Sequence, residues 1–434
     1  MLTDTLSILK SKYIPEGSYR GNFVTITTGK ILSQVIPVLL VPVLTRLYTP
    51  SDFGVFAIFL AVIGVVSFIS NGRYNIAIIL PKKEEDVIRL FSISVIINTF
   101  VLIILSLVVF LFGDVIASFL NLDVPSIVLY LIPVGIFLVG LFEPLYHLGL
   151  RRKLFKVLAT GLVCKFTLIV LLKIAFAFFE IGSLGLILGH IVGYGIGIFL
   201  LIALLFYHKA FLKFRKSTRS KELFNLAKIY KKFPMYSMPS DFLNEIARQL
   251  PHFLLNSFFG SVIVGQYSLT QRVLQSPITT IAGGIRDAFK EKASRDYREK
   301  GSCRKVFVDT LKKSSLFSIV PFVLLFIFAP VLVPIIFGPE WAPAGDYIRI
   351  LTLLFFLRFI VSPLSTVLFI TGKQVYKLIW EFFAVSSIII SFWVGFVYYD
   401  EYIALGIYSF SLSFLYIILL LISYNFAIRR NEEN

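Results

Sequence analysis

The sequence predicts an all-α polytopic membrane protein with twelve transmembrane helices in two six-helix halves. Hydrophobic residues make up 57% of the chain and charged ones only 15%, with a mean hydropathy of +0.85, a balance that excludes a water-soluble domain. Apolar stretches near the roughly 20 residues that cross hydrocarbon recur twelve times. They lie at 21–44, 53–80, 88–112, 125–148, 154–179, 183–207, 233–259, 262–289, 306–336, 343–370, 375–398 and 402–427. Runs such as 101–112 and 412–422 are apolar on every face. A barrel strand would instead alternate over about ten residues, so the spans are helices.

Orientation follows from the cations. The linkers after even-numbered spans hold Lys82, Lys83 and Arg89; Arg151, Arg152 and Lys153; nine Lys or Arg in 209–232; seven in 290–305; and Lys373 with Lys377. Lys10, Lys12, Arg20, Arg429 and Arg430 put both ends with them, whereas the opposite linkers hold only Arg46. The positive-inside rule then makes both termini cytoplasmic. The net charge of +17 reflects this topology and attraction to anionic inner-leaflet lipid, not nucleic-acid binding. Residues 1–20 lack an apolar core followed by a small-residue cleavage site, so no signal peptide is expected. Cys164 in a span and Cys303 in a linker differ too much in depth to pair, and the four histidines have no metal-ligand spacing.

The basic linker 208–232 divides the spans six and six, giving a segment 1–20, a lobe 21–207, the linker, a second lobe 233–427 and a tail 428–434. An offset of 211 lays Gly54-Val55-Phe56 on Gly265-Gln266-Tyr267, Lys30 on Asp241 and Gln34 on Glu245. Spans 1, 2, 7 and 8 thus become the polar pairs of two pseudo-symmetric halves facing across a cavity.

Several spans carry a cation in their interior: Lys30, Arg73, Lys165, Lys173, Arg248, Arg272 and Arg358. Each costs at least about 2.5 to 3.5 kcal/mol at mid-membrane, and an anionic ligand is the reading that explains them. Asp241, Glu245, Arg248 and His252 form one helical stripe, as do Ser268, Gln271 or Arg272, Gln275 and Thr279, and likewise Asn22, Lys30 and Gln34. Such stripes face protein or water. Asp241, Glu245 and Arg248 either wall a cavity or neutralise one another. Arg73 and Arg286 lie near enough to span ends to reach the headgroups instead. Lys165 and Lys173 share a face of span 5, as a second cationic wall or as groups paired within the lobe. Gly185, Gly189, Gly193 and Gly197 read as a close helix-packing surface.

Enzyme signatures are absent: there is no GxxxxGK or HExxH motif, and the longest linker, 208–232, cannot hold a catalytic domain. No catalytic residue, cofactor or metal site is expected, which leaves a secondary transporter or downhill flipping. A membrane-embedded glycosyltransferase or polymerase would need a large loop with catalytic carboxylates.

Residues 29–54, from Gly29-Lys30-Ile31-Leu32-Ser33-Gln34 to Pro50-Ser51-Asp52-Phe53-Gly54, resemble the amino-terminal signature of Wzx-type polysaccharide flippases. So do Asn71-Gly72-Arg73-Tyr74-Asn75 through Lys82, and Gly265-Gln266-Tyr267-Ser268-Leu269 with Arg272 and Pro277. The resemblance implies the multidrug/oligosaccharidyl-lipid/polysaccharide exporter fold, two six-helix bundles in a V lined by spans 1, 2, 7 and 8. It also implies an undecaprenyl-pyrophosphate-linked oligosaccharide as substrate, moved from the cytoplasmic to the periplasmic leaflet of the bacterial inner membrane for O-antigen, capsule or exopolysaccharide assembly. Partners would be membrane lipid and other assembly proteins, such as a polymerase or chain-length regulator. An ion-coupled multidrug exporter of the same fold is the alternative.

The candidate substrate-binding residues are Lys30, Arg73, Arg248 and Arg272 with Gln34 and Gln275. Asp241 and Glu245 are candidates for ion coupling, since a proton there could release Arg248 to phosphate. Lys165, Lys173 and Arg358 are the less certain cavity residues.

Overall fold

Every regular element among the described residues is helical, as this composition demands. The structure, a computed structural model, describes residues 19–119, 127–210 and 220–428. Lys10, Lys12, Arg429, Arg430 and the side chains of Arg20, Asn22 and Thr279 lie outside the described set. The helices in order are α1 (Tyr19–Leu39), α2 (Val41–Leu47), α3 (Pro50–Ser67), α4 (Tyr74–Ala77), α5 (Glu84–Phe119), α6 (Ile127–Arg151), α7 (Phe155–Ala177), α8 (Ser183–Tyr207) and α9 (Ser220–Ile229). They continue as α10 (Met238–Phe259), α11 (Ser261–Pro277), α12 (Gly283–Lys300), α13 (Arg304–Phe337), α14 (Ala342–Leu364), α15 (Val367–Ile370), α16 (Gln374–Val397) and α17 (Glu401–Ile428).

Ten segments among the described residues are long and apolar enough to cross a membrane, so this is a multi-pass membrane protein. Two expected spans, 233–259 and 262–289, are not among them. Their helices, α10 and α11, carry Asp241, Glu245, Arg248, Gln249, Gln266, Gln271 and Arg272 within 22 and 17 residues. The polar content that marks them as special is what lowers their hydropathy. Span 8 is also not one regular helix. A π turn at Ile278–Ala282 follows Pro277, and α12 runs on to Lys300. Proline removes a backbone donor and disrupts the ladder there.

The chain divides into two compact units, one of Met1–Tyr48 and Ile58–Gln249, the other of Thr49–Ala57 and Leu250–Asn434. The first unit has a core of Ile78, Ile88, Leu148, Leu158, Leu201 and Leu205. Linker helix α9 adds Leu226 to that core. It is also tied by charge: Arg89 on α5 bonds Asp86 at 2.7 Å and Glu222 of α9 at 2.5 Å. Of the expected stripe on α8, Gly185 lies against the Tyr48 hydroxyl, while Gly189, Gly193 and Gly197 do what their spacing predicts. A Cβ on each would fall 2.6 to 2.7 Å from Lys173, Ile169 and Lys165 of α7, so the two helices pack backbone to backbone.

In the second unit, α14 is the central rod, with Tyr347, Ile348 and Leu351 fully buried. Gln266 Nε2 donates to the Glu340 carbonyl at 2.7 Å, and Thr270 Oγ1 to the Ala344 carbonyl at 3.0 Å, fastening α11 to the start of α14. The start of α3 belongs here too, and its Phe53 ring meets Trp341 edge-on at 5.0 Å. A Cβ on Gly54 would collide with the Ser261 carbonyl, and one on Gly265 with the Pro50 carbonyl. Ser51 and Ser261 hydroxyls bond across the same crossing at 2.9 Å. Since 50 and 54 become 261 and 265 at the offset of 211, this contact is reciprocal in the repeat register.

Outside, Leu316, Val320, Ile327, Val331 and Ile335 of α13 are exposed. From Leu316 to Ile335 the helix rises about 30 Å, the thickness of bilayer hydrocarbon. The preceding turns, with Asp309, Lys312 and Lys313, stand outside it.

Candidate functional site

The expected span 53–80 breaks where its motif lies. Helix α3 ends at Ser67, and Gly72 and Arg73 take φ of 55° and 59° before the short α4. A left-handed arginine costs about 1 to 2 kcal/mol and must be held. Asn71 Nδ2 donates to the Gly140 carbonyl at 2.8 Å, the Ser70 hydroxyl bonds Asn71 Oδ1 at 2.7 Å, and the Tyr74 hydroxyl donates to the Ala227 carbonyl at 3.1 Å. Arg73 is therefore not on a helical stripe. Nor does it reach toward the headgroups: its guanidinium lies 4.2 Å from the Phe68 ring and pairs with Asp241 of α10. The side chain is 15% exposed, and its Nε has no hydrogen-bond partner.

One turn along α10, Glu245 is buried at 6% exposure and takes a two-pronged contact from Arg248, Nε at 2.8 Å and Nη2 at 2.5 Å. Gln249 Nε2 adds a third bond at 2.7 Å. Helix α3 comes close enough here that a Cβ on Gly64 would stand 3.0 Å from Glu245 Oε1. Both candidate coupling carboxylates thus already hold an arginine; Arg248 with Glu245 is the mutual neutralisation expected within the stripe, whereas Asp241 takes Arg73 from outside it. Arg248 nevertheless keeps half its side chain exposed, at 51%.

Lys30 is exposed on α1, its ammonium 5.9 Å from the Tyr146 ring, with no carboxylate at ion-pair distance among the described residues. Gln34 is exposed one turn on. Lys165 and Lys173 are different: both are buried, at 3% and 6% exposure. The Lys165 ammonium sits 3.5, 4.2 and 4.7 Å from the rings of Phe142, Tyr194 and Phe166, an aromatic cage that partly replaces lost hydration. The geometry favours containment within the unit over a second wall, because their face of α7 is the one pressed on the glycines of α8.

In the second unit, Arg272 and Gln275 are half-buried on α11, and no carboxylate pairs with Arg272 among the described residues. Arg358 is half-buried on α14, within electrostatic reach of the phenols of Tyr416, Tyr408 and Tyr267, and the Phe355 ring lies 5.8 Å away. His252, the last member of the α10 stripe, is buried with its ring 5.2 Å from Tyr267. Sequence reasoning missed Tyr146 and this tyrosine group, because their partners sit on helices remote in sequence, and Phe68, because its contact with Arg73 five residues on depends on the turn between them. Asn71-Gly72 is the one local signal, a turn dipeptide inside an apolar run.

The chain's relatives sharpen the reading. The polysaccharide biosynthesis protein family matches residues 43–346. The chain belongs to that family. Over 159 residues it is 21% identical to amylovoran biosynthesis protein AmsL of Erwinia amylovora, covering 37% of this chain and 40% of that protein's length. Its fold is that of the exporter superfamily. A lipid II flippase MurJ in an inward closed conformation superposes with a TM-score of 0.70 at 14% identity, over 93% of this chain and 87% of that one. An inward-facing multidrug resistance transporter of the MATE family gives 0.61 at 15% identity, over 96% of each.

Proposed function

We propose that this chain flips a lipid-linked oligosaccharide repeat unit, carried on undecaprenyl pyrophosphate, from the inner to the outer leaflet of a bacterial inner membrane during polysaccharide assembly. Membership in the polysaccharide biosynthesis protein family and the exporter fold support a flippase or transporter role, not an enzyme. The observation that carries the finer reading is the pair of arginine–carboxylate contacts one turn apart on α10, Arg73 with Asp241 and Arg248 with Glu245.

A pyrophosphate arriving there competes with the two carboxylates for the two guanidinium groups. Protonation of Asp241 or Glu245 weakens the internal pair and frees its arginine for phosphate, whereas loss of the proton restores the pair and expels the anion. The exposed half of Arg248 can meet phosphate oxygens at once, whereas the unpartnered Nε of Arg73 is buried and becomes a donor to phosphate only as its surroundings open. Lys30 and Arg272, with no carboxylate at ion-pair distance among the described residues, supply standing positive charge, and Gln34 and Gln275 meet sugar hydroxyls. With both termini cytoplasmic and the interior negative, outward passage of each negative charge gains about 2.3 kcal/mol per 100 mV.

The test is polymer export by a deletion strain carrying Lys30→Gln, Arg73→Gln, Arg248→Gln or Arg272→Gln, with membrane expression checked. Most of these are expected to cut export severely; normal export by most of them rejects the cationic path. Proton coupling is tested separately, by flipping in proteoliposomes with Asp241→Asn and Glu245→Gln, which should flatten the pH dependence. The carboxylates on α10 also suit a cation-coupled drug exporter. That alternative predicts drug sensitivity on deletion, with no loss of polymer.

A further inference from the structure

A cleft of about 420 Å3 opens inside the second unit and plays no part in the function above. It lies between α12, the end of α14, α15, the first turn of α16 and α17. Arg286 and Lys290 enter from α12 and Lys377 from α16, with Ser362, Phe369 and Tyr416 around them.

The cations are poorly matched by carboxylates. Arg286 Nε is 3.9 Å from Asp287, a side chain that is itself 78% exposed. Lys377 Nζ is 3.7 Å from Glu381, beyond hydrogen-bond reach, and rests on the Trp380 ring at 3.8 Å. Arg358 does not line the cleft but adds to the positive field on Lys377. Four cations against two carboxylates leave an excess of two positive charges, the requirement of an anion. The hydroxyls of Ser365 and Thr366 donate to backbone carbonyls at 3.0 and 2.6 Å, so donors into the cleft come from the cations, Ser362 and Tyr416.

Depth says which anion. Ser302 Oγ and Cys303 N both donate to the Ala427 carbonyl, at 2.9 and 3.1 Å, which makes a common origin for α12, α13 and α17. Counted from it at 1.5 Å per residue, Lys290 lies about 18 Å along α12 and Tyr416 about 17 Å along α17. The exposed apolar band of α13 begins at Leu316, about 20 Å along. The cleft therefore sits at the boundary between hydrocarbon and water, where Trp380 is also at home. Phe369 in its lining is 59% exposed, and Leu378 and Phe382, next on α16 after Lys377, are 67% and 70% exposed.

We propose that this cleft binds the phosphate of an anionic membrane-lipid headgroup, whose acyl chains lie along the exposed face of α16. The purified protein in a neutral detergent is titrated with phosphatidylglycerol, phosphatidylcholine or inorganic phosphate, reading bound lipid by native mass spectrometry and the thermal midpoint in parallel. Phosphatidylglycerol is expected to bind and protect; phosphatidylcholine and inorganic phosphate are not. Arg286→Gln and Lys377→Gln should each weaken phosphatidylglycerol about fivefold. Lys377→Arg should keep it, and Lys312→Gln, an equal charge loss on exposed α13, should leave it unchanged. Equal binding of phosphatidylcholine, wild-type affinity in both Gln variants of the cleft, or an equal loss in Lys312→Gln overturns the site. Protection by inorganic phosphate alone overturns the lipid assignment.

Discussion

Replacing Gly265 by alanine should loosen the second unit at one defined point. The new methyl group would overlap the Pro50 carbonyl, so the starts of α3 and α11 must part by on the order of 1 to 2 Å to regain ordinary contact. Overpacking of this kind costs about 1 to 3 kcal/mol. Separation also strains the 2.9 Å Ser51–Ser261 bond, worth about 1 kcal/mol, and the Phe53–Trp341 contact. Against these, alanine gains about 1 kcal/mol in a helix over glycine. The net expectation is a loss of roughly 1 to 3 kcal/mol. Gly54→Ala should match it, and the double variant should cost less than the sum, because helices already parted accommodate the second methyl. Gly406→Ala in α17 is the control: nothing lies within 4 Å of its Cβ, so it should be neutral or stabilising. The assay is the thermal midpoint in detergent, with emission of the buried Trp341 as local reporter. If Gly265→Ala unfolds with the midpoint of Gly406→Ala, the close crossing is wrong.

Arg248→Gln strands a carboxylate that is 6% exposed, and should destabilise by about 3 kcal/mol at most, since Gln249 still donates to Glu245 and Arg248 is half in solvent; adding Glu245→Gln should recover most of it in the same midpoint assay. Lys165→Met keeps the length of the side chain within its aromatic cage and removes a buried charge, so stability should hold or rise by about 1 kcal/mol with export intact; lost export would mean that Lys165 meets substrate. The Cys303 thiol, outside the spans, is pushed up to about 11 by burial, from an ordinary 9.0. The stability gained by keeping it neutral is whole below about 9 and lost as pH rises through about 11, so maleimide should label it at pH 7.5 only after unfolding. Arg89→Ala removes the contacts to Asp86 and Glu222 and should speed proteolysis near α9, measured by limited trypsin digestion.

The helical class, the glycine face of α8 and the peculiarity of α10 and α11 were legible because each rests on local pattern: run length, an i+4 repeat, polar residues amid apolar ones. The turn at 68–73 was obscured for the same reason. The run 53–80 stays apolar through it, and hydropathy does not register a change of backbone direction, although Asn71-Gly72 does. The fates of the span cations were less accessible. Lys165 and Arg248 look alike in a window of their own neighbours. One is enclosed by rings from α6 and α8, and the other bonds Glu245 while half exposed. Which neighbour a side chain finds depends on contacts between helices far apart in sequence. Arg73 shows the limit most sharply, since a left-handed φ turns its side chain away from the direction that a continuous helix would give.

The crossing of Gly54 over Ser261 and of Gly265 over Pro50 has the form of an isologous interface, in which each copy of a surface offers the same residue to its twin. A half-length ancestor pairing with itself through a single glycine would make both contacts at once, and fusing two copies into one chain would preserve them. Once fused, the two glycines can change independently, so asymmetry between the halves can grow everywhere except where one backbone must touch the other.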